Sequence, residues 1–216
     1  MVVSLLAMAA IYSTFLAQHR SYQVQEETAK MQQNIRAAMY YMQREIRMAG
    51  SDPYNVDGFG ITAAGQNSIA FTEDVRGPDV GAPPVPAPPD GDVGDPNENI
   101  TYSFADSDGD GTNDCINRNG QTVAQNISML DFVYLDGASP PNVIPFVGGF
   151  IPGANLSQIR SVEITIVART DDPLLYGTTN NNVYRNQQGT QIFVGPGDRV
   201  SRRRLTTLIH CRNLAL

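Results

Sequence analysis

The residues whose types and spacing could do chemistry are Asp106, Asp108, Asp110, Thr112 and Asp114, in the run Asp106-Ser107-Asp108-Gly109-Asp110-Gly111-Thr112-Asn113-Asp114. Carboxylates at positions 1, 3 and 5 followed by Gly at 6 form the opening half of a calcium loop. A hard cation takes oxygen ligands, and the Gly lets the chain turn sharply around it. The Thr112 carbonyl and Asp114, directly or through water, would extend that set. Position 12 is Asn117 rather than a bidentate Glu, and no flanking helices are predicted, so the EF-hand pattern stops halfway. The same residues also suit a Gly/Asp turn between two strands. Both readings, a bound Ca²⁺ and a plain turn, make this segment structural rather than catalytic.

The remaining reactive side chains are sparse. Cys115 and Cys211 lie in no CxxC pattern, and the two histidines are His19 and His210. Together they make a poor zinc set, because adjacent His210 and Cys211 point to opposite faces of a strand. In an oxidising compartment a Cys115–Cys211 disulfide is the expected use. The sequence contains no G-x-S-x-G, H-E-x-x-H, phosphate loop or dinucleotide fingerprint. No enzymatic activity and no small-molecule substrate are therefore expected.

A formal net charge of −7 argues against nucleic acid as the main partner, since phosphate binding needs a basic face. The charge is unevenly placed. Residues 77–114 carry nine carboxylates and no Lys or Arg, whereas 199–212 carries Arg199, Arg202, Arg203, Arg204 and Arg212. Blocks of this kind make solvated faces or pair with each other. A hydrophobic content of 41% over 216 residues suits one globular domain with a core, plus an extended element.

That extended element must be the N-terminus. Residues 1–17, MVVSLLAMAAIYSTFLA, carry no charge, Gly or Pro. As a helix they reach about 25 Å, slightly short of a bilayer core, and are expected to be a transmembrane or helix-packing segment. From Gln18 to Met48 no Gly or Pro interrupts the helical pattern. Met31, Ile35, Ala38, Met42, Ile46 and Ala49 recur at spacings of three and four, one face of an α-helix. Gly50 and Asp52-Pro53 end it. The spacing thus predicts one helix over 1–50, roughly 75 Å long, packing its Met31–Ile46 face on a β-rich domain.

Residues 51–216 change to a two-residue period. Segments 68–72, 99–104, 127–135, 161–168 and 205–211 read as strands, with Gly, Asn and Pro clusters between them. No long helix intervenes, so the expected class is α+β, an antiparallel sheet against the N-terminal helix. The 77–98 stretch, with seven prolines, is expected to be irregular or polyproline-like surface chain.

These residues resemble the type IV pilin-like family, in particular minor pilins of the PilW type, and more distantly the J pseudopilins of type II secretion. The resemblance is carried by Ala10–Met48 with the AGSDP that follows, by DSDGDG leading into NRNGQTVAQNISMLDFVYL, by RSVEITIVAR and by RRRLTTLIHCRNLAL. It leaves the Pro-rich loop and residues 136–158 unmatched. Family members begin with a short basic leader, a Gly-Phe cleavage site and a Glu at the fifth mature position. This chain opens at Met1-Val2-Val3 inside the apolar run, so processing and Glu-mediated registry are not carried over. The resemblance implies a pilin-like fold and a minor, priming or tip-proximal subunit of a pilus with no reaction of its own. Its helix would sit in the bacterial inner membrane before assembly and then among other pilins, its head in the periplasm or at the cell surface. The expected alternatives are a type II secretion pseudopilin and a calcium-dependent adhesin or binding module.

Overall fold

A computed structural model describes every residue except Met1, Asp57, 81–84, Pro96, Asp172, 174–178 and Leu216. Helix α1 runs unbroken from Val2 to Met48, about 70 Å at the α-helical rise. Its C-terminal half supplies one wall of the core. Met31, Ile35, Ala38, Met42, Ile46 and Ala49 are buried there, and Met39 joins them. Met39 lies four residues from Ile35 and three from Met42, so it widens the stripe by one row. Gly50 stops the helix at φ +77°, and its N–H donates to Thr72 O at 2.9 Å. A side chain there would meet both the left-handed backbone and Leu214, whose Cδ2 lies 2.6 Å from the place of a Cβ.

The β-structure is antiparallel throughout the described pairs, which makes the chain an α+β protein. Strands β1 (Ile61–Ala64), β2 (Ser68–Thr72), β3 (Gly77–Val80), β4 (Val85–Ala87), β5 (Asn99–Ala105), β6 (Cys115–Arg118) and β7 (Gln121–Ala124) come first. Then follow β8 (Ile127–Leu135), the short helix α2 (Gly153–Leu156), β9 (Ser161–Arg169), β10 (Val183–Arg185), β11 (Gln191–Val194) and β12 (Arg202–His210). A 3₁₀ turn, Arg212–Ala215, closes the chain.

Rather than one sheet, the strands form a five-stranded sheet, β1-β2-β5-β6-β7, and a three-stranded sheet, β12-β9-β8. The second sheet is covered on both faces along β9, where all of Ser161–Ala168 is buried, Val162, Ile164, Ile166 and Ala168 on one face and Ser161, Glu163 and Thr165 on the other. Pairs β3-β4 and β10-β11 are separate two-stranded ribbons. The β10–β11 ribbon is fastened by buried carboxylates: Asn186 Nδ2 donates to Asp131 at 3.1 Å, and Gln187 N to Glu163 at 2.8 Å.

Three differences from the sequence reading have physical causes. The Pro-rich stretch is not wholly irregular, because Gly77–Val80 and Val85–Ala87 pair as a hairpin. A two-stranded ribbon leaves an outward edge on each strand where a missing N–H does no harm, so Pro78 and Pro86 are tolerated. The β6–β7 hairpin turns at Asn119-Gly120, both with positive φ (50° and 79°), the Asn-Gly pair that two-residue hairpins favour. Finally, β12 begins at Arg202 rather than Leu205, because Arg202 is itself buried and neutralised by Asp198 at 2.6 Å.

Candidate functional site

The N-terminal part of α1 has the features of a binding element. Beyond the segment that packs on the sheets, Met8, Ile11, Tyr12 and Phe15 are 61–75% exposed. His19 stacks on Phe15 with ring centroids 6.3 Å apart. Ser13 and Thr14 return their hydroxyls to Ala10 O at 2.8 and 2.9 Å, so their polar atoms are spent inside the helix and the surface stays apolar. The side chains of residues 1–7 and of Ala9 lie outside the described ones. Among the described residues no helix is long and apolar enough to cross a membrane. The described residues therefore do not support the transmembrane role expected for residues 1–17. The apolar run gives way to Gln18, His19 and Arg20.

Where α1 meets the head, Glu45 forms the junction. Both of its oxygens take Arg118 Nε, at 3.1 and 2.9 Å, and Oε2 accepts Tyr102 Oη at 2.5 Å. Burial, then the Glu45 hydrogen bond, pushes the Tyr102 hydroxyl well above its ordinary range. Beside this triad lies Glu73, 5% exposed, whose carboxyl is pushed up to about 7 by burial first and by the Glu45 charge second. Asp74 and Glu98 are buried next to it. Glu98 is well satisfied: its Oε1 accepts the N–H groups of Val75 and Arg76, each at 3.2 Å, and Oε2 that of Asp95 at 3.3 Å. Sequence reading missed this acidic group. Its only trace is Thr72-Glu73-Asp74, carboxylates placed directly after a strand.

The structure brings together three of the five proposed cation ligands. Carboxylate oxygens of Asp106, Asp108 and Asp110 lie within 4.8 Å of one another, in the loop between β5 and β6. Asp106 organises the loop, accepting N–H groups from Gly111 and Gly109 at 2.7 Å each and from Asp108 at 3.1 Å. Those bonds, Gly111 first, hold its carboxyl below the usual range. Asp108 and Asp110 accept the N–H groups of Asp110 and Thr112. Asp114 turns elsewhere, accepting Ser107 N at 3.0 Å and facing Arg169 at 3.7 Å. Asp106, Asp108 and Asp110 thus suit a hard cation, with Thr112 entering through its N–H to Asp110.

Cys115 and Cys211 are both free and buried, so the expected disulfide does not form. Cys115 opens β6 of the five-stranded sheet, and Cys211 follows the end of β12 in the three-stranded one. Cys115 Sγ faces Ala105 O at 3.2 Å. Burial pushes the Cys211 thiol up to about 12, so at neutral pH it behaves as an apolar core residue. His210 engages the Ser161 hydroxyl through Nδ1 at 2.8 Å. Of the Arg202–Arg204 run, Arg202 pairs with Asp198 and Arg204 donates to Arg185 O at 2.5 Å.

No family model, no curated protein and no solved structure matches this chain.

Proposed function

We propose that this protein is a structural subunit of a filament of the type IV pilus class, a minor pilin, and that it catalyses no reaction of its own. One observation carries the reading: a single 47-residue helix buries its second half in an α+β head and leaves Met8, Ile11, Tyr12 and Phe15 exposed. Apolar side chains on a projecting helix lose water only by meeting another apolar surface. The helices of neighbouring subunits supply one, and the resemblance of the helix and of the C-terminal block to pilin-like proteins agrees. The head then lies outside the cytoplasm, on the filament surface. A type II secretion pseudopilin uses the same parts, and neighbouring genes separate the two.

The test compares sheared surface fibres, by electron microscopy, between the parent strain, a deletion of this gene, and a strain carrying Ile11→Asp/Phe15→Asp. Fibres lost in both altered strains and restored by the parent gene support assembly. Normal fibre number with lost adhesion in the deletion strain points instead to a binding module, for which the Asp106–Asp110 loop would provide the calcium dependence.

A further inference from the structure

Strand β12 is nine residues long and stands at the end of the three-stranded sheet, paired only with β9. Ser201 O accepts Thr170 N at 2.9 Å, and Cys211 N donates to Arg160 O at 3.0 Å. Both bonds continue the register of the two strands. An antiparallel ladder bonds alternate residues, so the odd-numbered residues of β12 turn their main chain to β9. Arg204, Thr206, Leu208 and His210 turn theirs outward, where no other backbone group meets it among the described residues. Elsewhere the edges are covered or short. Tyr134 O on β8 accepts Ile144 N, Ala64 O on β1 accepts Ile151 N, and β7 has only four residues.

This open edge is basic in a protein of net charge −7. Arg203 and Arg204 are exposed on the strand. Beside it, Gln43 of α1 donates to Thr207 Oγ1 at 2.6 Å. Arg36, Tyr40 and Arg47, all exposed, lie in the helix row of Gln43. Among the described residues no ion pair joins Arg36, Arg47, Arg203 or Arg204 to a carboxylate. Leu208, 38% exposed, and Tyr40, 63% exposed, add apolar surface.

We propose that the outer edge of β12 docks an extended, acidic segment of another protein, which joins the sheet as an antiparallel strand. Main-chain bonds to the even-numbered residues supply the pairing, and the arginines select the guest by charge. Residues directly opposite each other share a face. The guest therefore carries an apolar residue against Leu208 and, four and five residues later, carboxylates against Arg204 and Arg203. Charges on an edge discourage unwanted pairing, but here they have one sign. They repel a basic strand or a second copy of β12 and attract an acidic one.

The test adds a labelled peptide, Thr-Val-Thr-Val-Thr-Asp-Glu-Thr, to the full chain. Saturable binding that weakens with salt is expected, and Arg203→Glu/Arg204→Glu should lower affinity by about tenfold or more. N-methylation of the two valines, whose N–H groups would face β12, abolishes binding. N-methylation of the threonines that follow them leaves it. Hydrogen exchange on the parent chain needs no variant: Thr206 and Leu208 amides exchange faster than those of Leu205 and Thr207, and the peptide slows them. Outer amides already protected in the free chain, or no saturable binding at millimolar peptide, overturns the site. Binding that survives N-methylation of the valines shows a plain polyanion contact and overturns it as well. Protection that rises with chain concentration alone makes a second copy the occupant, which also refutes the acidic guest.

Discussion

Glu45 and Arg118 join the long helix to the five-stranded sheet: the two carboxylate oxygens of Glu45 lie 3.1 and 2.9 Å from Arg118 Nε. The pair is four-fifths buried on each side and shares Glu45 with the Tyr102 hydroxyl. An apolar stripe can slide or rotate by a residue at small cost, whereas a charge pair with defined partners cannot. Glu45–Arg118 thereby sets the rotation of α1, and with it the direction in which Tyr12 and Phe15 point.

Removing the carboxylate leaves both partners unpaired in a largely dry place. Glu45→Ala should destabilise the head by about 2–3 kcal/mol, seen as a lower urea midpoint with an unchanged slope. A midpoint equal to the parent's would show that the pair contributes nothing to stability.

Glu73 makes stability depend on pH in the direction opposite to most carboxylates. Its folded value of about 7 exceeds the unfolded 4.5, so the folded state holds the proton more tightly. The contribution of Glu73 is full below about pH 4.5 and is lost as pH rises through 7. The gap corresponds to about 3 kcal/mol at most. The groups acting on Glu73 are Glu45 and Arg44 on α1, Arg118 on β6, and Glu98. Glu73→Gln should remove this share of the decline and raise the melting temperature at pH 8 more than at pH 5. Equal shifts at both values would rule the titration out.

Arg202 is buried, its guanidinium bidentate on Asp198 at 2.6 Å twice, with Phe193 5.4 Å away. Arg202 holds the Asp198 carboxyl below its usual range, so the pair stabilises above the unfolded carboxylate value and weakens as pH falls through the lowered one. Asp198→Ala strands a buried cation and should cost about 3 kcal/mol, measured by denaturant unfolding. Replacing both residues by apolar ones should cost less than the single change.

The two halves of α1 should respond oppositely to truncation. Ile46→Ala, at a fully buried position, should lower stability by about 2–4 kcal/mol. Phe15→Ala, at an exposed one, should stay within about 0.5 kcal/mol and, on the proposed filament role, reduce co-purification with other subunits. Loss of stability from Phe15→Ala would mean the N-terminal half packs on its own head.

Calcium at the Asp106 loop should raise the melting temperature of the full chain, and Asp106→Asn/Asp108→Asn should remove that part of the rise. Matching curves in EDTA and millimolar Ca²⁺ for parent and variant would retire the loop as a cation site.

Much of the local structure is legible in the sequence because it is set by period and by special residues. Spacings of three and four from Met31 to Ala49, with Gly50 behind them, are enough to read a helix and its end. Alternation in Ser161–Ala168 is enough to read a strand, and Asn119-Gly120 announces a hairpin that the flanking polar residues obscure. What the tertiary structure decided is which distant groups meet. Glu45 with Arg118 and Tyr102, and Asp74 against Gly91, bring together residues whose separation along the chain carries no signal. The free thiols make the same point: an even number suggested a bond, and the fold buries each thiol separately. Local sequence fixes backbone conformation through sterics and hydrogen bonding, but burial, charge pairing and proton affinity depend on neighbours that only packing supplies.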